Sequence, residues 1–195
     1  MAIDYTQLQK DDVKWYELAE GLTFDDLRDE VNRLYDETHA ILKDRTDAEI
    51  TFEPHDPEAS DEHAVEGEEN IGWTLGHLVA HVTATNEENA LLTSLLGRGI
   101  QPSERLRTET PWREVDTTEK ALQRLEESRR IVLAYLDAVP DEADLDTLRH
   151  FESERAREYF GKINAPAATV LGLSHHNEHI AQMEDAAQQA QAASA

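Results

Sequence analysis

Apolar side chains recur at spacings of three and four residues in four separate stretches of the chain. This spacing places them on one face of an α-helix, so the pattern predicts four amphipathic helices. The first helix follows Thr23, a residue type suited to cap a helix N-terminus. The second begins near Trp73 and Thr74 and stops near Gly97 and Gly99.

The third and fourth predicted helices lie in the second half of the chain. The third starts at a capping box formed by Asp116 and Glu119 and ends at Pro140. The fourth starts near Pro166 and runs into a tail rich in alanine and glutamine. We expect this tail, residues 188–195, to fray.

No convincing alternating strand pattern occurs, and Ile50 to Phe52 is the best fragment. Four amphipathic helices with long connections predict an all-α, up-down four-helix bundle that forms a single domain over residues 1–195. The other predicted segments are an N-terminal extension, a long acidic loop between helices one and two, and a short extra helix, at residues 1–22, 53–70 and 154–160.

The composition narrows the classes of partner. The formal net charge is −24, from 42 acidic and 18 basic residues. Such a surface repels phosphates and anionic lipids, so we expect neither a nucleic-acid nor a membrane partner. No apolar run resembles a signal peptide or approaches the roughly 20 residues of a membrane span, so we expect a cytoplasmic protein. The chain has no cysteine, which excludes thiolate metal ligands and a cysteine nucleophile.

Histidines are concentrated in two of the predicted helices. The second helix carries His77 and His81 one turn apart, and the fourth carries His175, His176 and His179. Inward-facing side chains of separate helices meet in a bundle core, where three neutral imidazoles can hold zinc, nickel, iron or manganese. A lone histidine on an apolar face is usually a hydrogen-bonded core residue, but two pairs on two helices favour a metal site. The remaining histidines receive no role: His39, His55, His63 and His150.

Helical geometry alone leaves the choice of ligands open. At about 100° per residue, His81 lies nearer the middle of its apolar stripe than His77. On the fourth helix, His176 lies close to the apolar centre and His175 at its edge. The angles alone would therefore favour His176 with His179.

Two motifs resemble those of the DinB/YfiT-like family of four-helix bundle metalloproteins. One is a tryptophan followed eight residues later by histidine, Trp73 to His81. The other is His175, three residues, His179, and then a small residue and Gln182. The resemblance extends over roughly residues 23–187 and implies an up-down bundle, often dimeric, with a zinc or nickel site.

By that resemblance the metal ligands are His81, His175 and His179. His77 and His176 are additional to the family pattern. Either could be a fourth ligand, or could orient the ligands and carry protons. A closed site with four protein ligands would favour a structural ion, whereas an exchangeable water would favour an enzyme.

The resemblance also implies an activity. Members include transferases and isomerases that use low-molecular-weight thiols such as bacillithiol or mycothiol. A metal with an open position favours the thiolate form of a bound thiol. The leading interpretation is therefore a homodimeric metal-dependent enzyme, either an S-transferase with a thiol cosubstrate or a hydrolase. The alternatives are a non-enzymatic metal-binding stress-response or structural module, and a helical scaffold without metal.

Overall fold

The computed structural model of the chain describes residues 3–10, 13–57, 59–60 and 67–194. The all-α prediction is confirmed, because the described residues form helices and no strand. The α-helices are α1 (Trp15–Leu18), α2 (Phe24–Leu42), α3 (Asp47–Ile50), α4 (Leu75–Leu96), α5 (Thr118–Asp137), α6 (Glu154–Phe160) and α7 (Ala165–Ser194). Two 3₁₀ segments accompany them, at Tyr5–Lys10 and Trp112–Glu114.

The four long helices pack around one apolar core. Helix α4 contacts α5 and α7, and α2 contacts the same two helices. Each long helix contributes a fully buried leucine to this core: Leu34, Leu78, Leu125 and Leu173. This is the pairing that a four-helix bundle requires, whereas the up-down order of the helices stays a prediction.

The predicted N-termini of the first two long helices are confirmed. The hydroxyl of Thr23 accepts a hydrogen bond from the backbone N–H of Asp26 at 3.1 Å, and the Asp26 carboxylate accepts one from the N–H of Thr23 at 2.9 Å. The hydroxyl of Thr74 accepts one from the N–H of His77, also at 3.1 Å. Each bond satisfies an N–H group that has no partner inside its helix.

The predicted start of the third long helix is wrong by one residue. Thr117, not Asp116, caps α5, and its hydroxyl accepts from the N–H of Lys120 at 3.2 Å. Asp116 instead pairs with the Lys120 ammonium at 2.6 Å. The strand-like fragment at residue 50 is also corrected, because Ile50 ends the short helix α3, which Thr46 caps.

The two ends of the chain pack against the bundle. The indole N–H of Trp15 donates to the hydroxyl of Ser174 at 2.8 Å and joins the N-terminal extension to α7. Where fraying was expected, α7 continues to Ser194, because Ala190 is buried and Gln189 pairs with the backbone of His55.

The predicted acidic loop is described in part. Residues 53–57, 59–60 and 67–70 contain neither helix nor strand, and the remainder of the loop, including His63, lies outside the described residues. The predicted short helix before the last long helix is confirmed as α6, with the expected bounds. None of the described helices combines the length and the apolarity needed to cross a bilayer.

Candidate metal centre

Close packing of α4 on α7 brings the predicted ligands together. A Cβ atom at Gly172 would lie only 3.0 Å from the Cβ of Asn89, so glycine allows this approach one turn before His175. Across the same interface His81 of α4 faces His175 and His179, which follow each other by one turn of α7. Two helices thus supply three imidazoles to one point.

The spacing of the three imidazoles suits a metal ion. The Nε2 atom of His175 lies 3.1 Å from Nε2 of His81 and 3.3 Å from Nε2 of His179. All three ligating nitrogens lie within 4.8 Å of one another. Tetrahedral zinc with Zn–N bonds of about 2.0–2.1 Å separates its nitrogens by roughly 3.3–3.4 Å. The pair of His175 and His179 has this spacing, and the pair of His175 and His81 is slightly closer.

A hydrogen bond fixes the tautomer of His179. Its Nδ1 lies 2.8 Å from Oε1 of Gln182, one turn further along α7. An amide oxygen can only accept, so Nδ1 carries the proton and the lone pair of Nε2 faces the centre. Such a partner orients a ligating histidine and raises its basicity.

Burial keeps the three histidines neutral. The pKa of His81 is lowered to about 2, mainly by desolvation and to a smaller extent by the neighbouring His175 and His179. The pKa of His175 is lowered to about 3, mainly by desolvation and to a smaller extent by His179. Desolvation also lowers the pKa of His179, against the contact with Gln182. Neutral imidazole is the form that binds metals, so the three side chains fit an ion.

An acidic residue faces the other nitrogen of His81. Glu109 Oε1 lies 3.9 Å from Nδ1 of His81, which is a charge contact and too long for a hydrogen bond. Arg107 holds this carboxylate at 2.7 Å and also donates to the hydroxyl of Thr85 at 2.8 Å. A carboxylate in this place favours a proton on Nδ1 and leaves Nε2 of His81 for an ion.

The structure places His77 in an aromatic column beside the three ligands. Its ring stacks on Trp73 at a centroid distance of 4.4 Å and on Trp112 at 4.7 Å. Two nearly parallel rings at these distances must occupy opposite faces of the imidazole. Trp73 in turn contacts His81 at 4.7 Å and His179 at 5.8 Å. His77 therefore supports the indole that packs against two of the ligands.

His176 belongs to a buried polar network. Its Nδ1 accepts a hydrogen bond from the Asn86 amide at 2.9 Å, so Nε2 carries the proton and donates to the hydroxyl of Thr38 at 2.8 Å. Desolvation lowers the pKa of His176 to about 3. Both nitrogens are thus occupied, and the pairing of His176 with His179 that helical angles favoured is not what the structure shows. On α7, His176 at the centre of the apolar stripe faces the core, whereas His175 at the edge of the stripe faces the candidate metal centre.

A cavity of about 760 Å³ opens beside the imidazoles, and His81 and His175 line its wall. Four arginines also line it: Arg105, Arg107, Arg113 and Arg149. The sequence reasoning missed these arginines, Glu109 and Trp112, because they lie in connections without helical periodicity. The accumulation of arginine between α4 and α5, in a chain with few basic residues, is a signal for Arg105, Arg107 and Arg113. Arg149, between α5 and α6, has no such signal.

The comparison with family models identified a family. A model described as the DinB superfamily matches residues 30–183, a range that includes all three histidines of the candidate centre. The comparisons with curated proteins and with solved structures found no match.

Proposed function

Because the chain belongs to the DinB superfamily, we propose that it is a divalent-metal-dependent enzyme whose ion is held by His81, His175 and His179. Zinc or nickel is the expected ion, and iron or manganese would also accept imidazole ligands. The observation that carries the proposal is the position of two of these ligands on the wall of an open cavity.

An open site favours catalysis over a purely structural role. Structural zinc sites are closed by four protein ligands, whereas catalytic sites keep a position for water or substrate. Among the described residues, the potential metal ligands close enough to share one ion are the three histidines alone. His176 has both nitrogens occupied by Thr38 and Asn86, which removes it as a fourth ligand.

The proposed reaction is the transfer of a low-molecular-weight thiol to a small-molecule substrate. A divalent ion held by His81, His175 and His179 would favour the thiolate form of a thiol near neutral pH. Because the chain has no cysteine, the thiolate must come from a cosubstrate. The protein supplies the rest: Gln182 orients His179, Trp73 packs against two ligands, and the cavity provides space for the reactants beside His81 and His175.

A hydrolase is the second candidate, favoured by one observation. Glu109 lines the cavity next to His81 and provides a carboxylate that could accept a proton from water. Its Oε2 is already engaged by the Arg107 guanidinium at 2.7 Å, which leaves this carboxylate less free to position a water. Thiol transfer is therefore the preferred proposal.

Cobalt substitution tests the open site directly. Loading the protein with Co²⁺ and adding 2-mercaptoethanol should produce a sulfur-to-cobalt charge-transfer band in the near ultraviolet. The chain has no sulfur ligand from cysteine, so such a band reports the added thiol alone. 2-Methoxyethanol, which has no thiol, is the matched control. Binding of cobalt without any thiol-dependent band would instead support the non-enzymatic metal-binding module.

A further inference from the structure

We propose that the cavity beside the three histidines binds a small molecule through a carboxylate group, and that Arg149 is the residue that pairs with this group. The proposal names a substrate class for the same cavity and thus rests on the proposed function. The experiment that tests it nevertheless measures carboxylate binding separately from metal binding.

The cavity differs in charge from the rest of the molecule. The chain as a whole has 42 acidic and 18 basic residues. The cavity is instead lined by four arginines against three glutamates, Glu68, Glu88 and Glu109. Low-dielectric walls strengthen the local field of such charges, so an anion that the outer surface repels is attracted here.

Three of the four arginines already have carboxylate partners. Arg105 forms two hydrogen bonds with Glu88, at 2.7 and 2.9 Å. Arg107 pairs with Glu109 at 2.7 Å, and Arg113 pairs with Glu68. These pairs neutralise most of the charge in the cavity and hold its walls in place.

Arg149 is the exception. Its side chain forms no ion pair with any carboxylate of the described residues, and its guanidinium lies over the ring of Phe151 at 4.9 Å. Burial lowers the pKa of Arg149, which shows a desolvation cost that Glu88 only partly offsets. Guanidinium stays charged in proteins, so a positive group that no carboxylate of the described residues pairs with lines the cavity.

The location of Arg149 suits an incoming ligand. Its backbone N–H donates to the carbonyl of Ile163 at 2.8 Å, which ties it to the segment just before α7. It lines both the histidine cavity and a neighbouring cavity of about 630 Å³, so it stands where the two spaces adjoin. A volume of 300–1,000 Å³ is about the range of small-molecule sites.

The remaining lining defines the body of the ligand. Ile71, Leu171, Phe160 and Trp112 add apolar and aromatic surface. One guanidinium presents a planar fork that matches one carboxylate, whereas the nearby Glu88 and Glu109 disfavour a more highly charged anion. The ligand class is therefore a monocarboxylate with an apolar body.

Calorimetric titration of the zinc-loaded protein with pentanoate, and with pentan-1-ol as the neutral match, tests the proposal. Pentanoate should bind at least about 10-fold more tightly than the alcohol, because a charge-assisted pair contributes roughly 1.5–3 kcal/mol. Arg149→Gln should abolish this preference. Arg149→Lys, which keeps the charge without the planar fork, should retain part of it.

Arg155→Gln is the matched control, since it removes the same charge from the exposed face of α6. It should change pentanoate affinity by less than about twofold. Equal binding of acid and alcohol, or full pentanoate affinity in both Arg149 variants, would overturn the proposal. Circular dichroism establishes that each variant is folded. If Arg149→Gln does not fold, Arg149→Lys takes its place in the comparison.

A repeat of the titration after removal of zinc separates the two proposals. Pentanoate binding that survives chelation and is lost in Arg149→Gln supports Arg149, even if the ion proves to have no catalytic role. Binding that requires zinc and is indifferent to Arg149 would place the carboxylate on the ion and overturn the inference.

Discussion

The contact between His179 and Gln182 decides which nitrogen of the imidazole faces the candidate metal centre. Without it the ring could carry its proton on Nε2, and the lone pair would point away from the ion. The interaction lies within one turn of α7, so the geometry of that helix alone brings the two side chains together.

Gln182→Ala should weaken zinc binding by about 10-fold while one ion per chain is retained, because partners of ligating histidines typically contribute 10- to 100-fold. Competition with a chelator of known affinity measures the effect. Gln188→Ala is the matched control, since it makes the same change at an exposed position of the same helix. Equal affinities of the two variants would remove the orienting role.

Replacement of His81, His175 or His179 singly by alanine should abolish stoichiometric binding of zinc or nickel, because two imidazoles hold an ion much less tightly than three. His39→Ala, a change in α2 outside the candidate ligand set, should still bind one ion per chain. Metal analysis of the purified proteins is the measurement. Full metal content in His81→Ala would contradict the ligand set.

His176→Leu should lower stability and leave metal stoichiometry unchanged. The leucine would leave Thr38 and Asn86 without their buried hydrogen-bond partner, at a cost of about 1–3 kcal/mol each. Denaturant unfolding measures this loss, and His150→Leu, at an exposed position, is the control. Loss of zinc from a folded His176→Leu protein would make His176 a ligand after all.

At the scale of elements, the sequence predicts those features that depend only on neighbouring residues. Thr23 and Thr74 marked the starts of helices because a threonine just before an apolar stripe commonly caps the helix N-terminus with its hydroxyl oxygen. The start of α5 was misplaced because Asp116 and Thr117 are both capable caps, and only the three-dimensional path of the chain selects one. Helical periodicity favoured His176 over His175, because it reports only the distance from the apolar centre. The partners on other helices, Thr38 and Asn86, are what assign His176 to the core.

No local sequence pattern predicts the residues that line the cavity. Arg107, Glu109 and Trp112 belong to the connection between α4 and α5, where no repeat predicts which side chains turn inward. Their positions follow from contacts distant in sequence, such as that of Trp112 on His77. A single sequence therefore predicts the helices and the imidazoles, but not the residues that would select a substrate.

The aromatic column gives His77 a role that can be separated from ligation. His77→Phe keeps a flat ring between Trp73 and Trp112 but removes both nitrogens. It should retain one zinc per chain with an affinity within about threefold of the original, because stacking depends on the ring face. His77→Ala should lower the affinity by roughly 10-fold, since Trp73 would lose its support beside His81. Loss of the ion in His77→Phe would instead identify His77 as a fourth ligand and favour a closed, structural site.

At the scale of the whole molecule, buried neutral histidines make stability depend on pH. In the metal-free protein the pKa values of His81, His175 and His176 lie at about 2–3, well below the ordinary value of about 6.5 that unfolding restores. Between these values the unfolded chain binds more protons, so the free energy of unfolding falls as pH decreases below 6.5. Each histidine contributes a slope of up to about 1.4 kcal/mol per pH unit.

Urea unfolding of the metal-free protein between pH 7 and 5.5 measures this slope where ordinary carboxylates stay mostly ionised. His176→Leu, which lacks one of the titrating groups, should show a smaller slope than the original chain. A free energy of unfolding that is constant over this interval would show that the histidines are accessible to protons in the folded state.

The net charge governs the homodimer that we propose from family resemblance. Two chains of charge −24 repel each other, and the Debye length falls from about 30 Å at 0.01 M salt to about 8 Å at 0.15 M. Light scattering at micromolar concentration should therefore show a species of twice 22.1 kDa whose fraction increases with added sodium chloride. Tetramethylammonium chloride at equal ionic strength should act alike, because screening depends on ionic strength and not on the identity of the cation. A mass of 22.1 kDa at every salt concentration would contradict the dimer, and a salt effect confined to sodium would point to specific cation binding in place of screening.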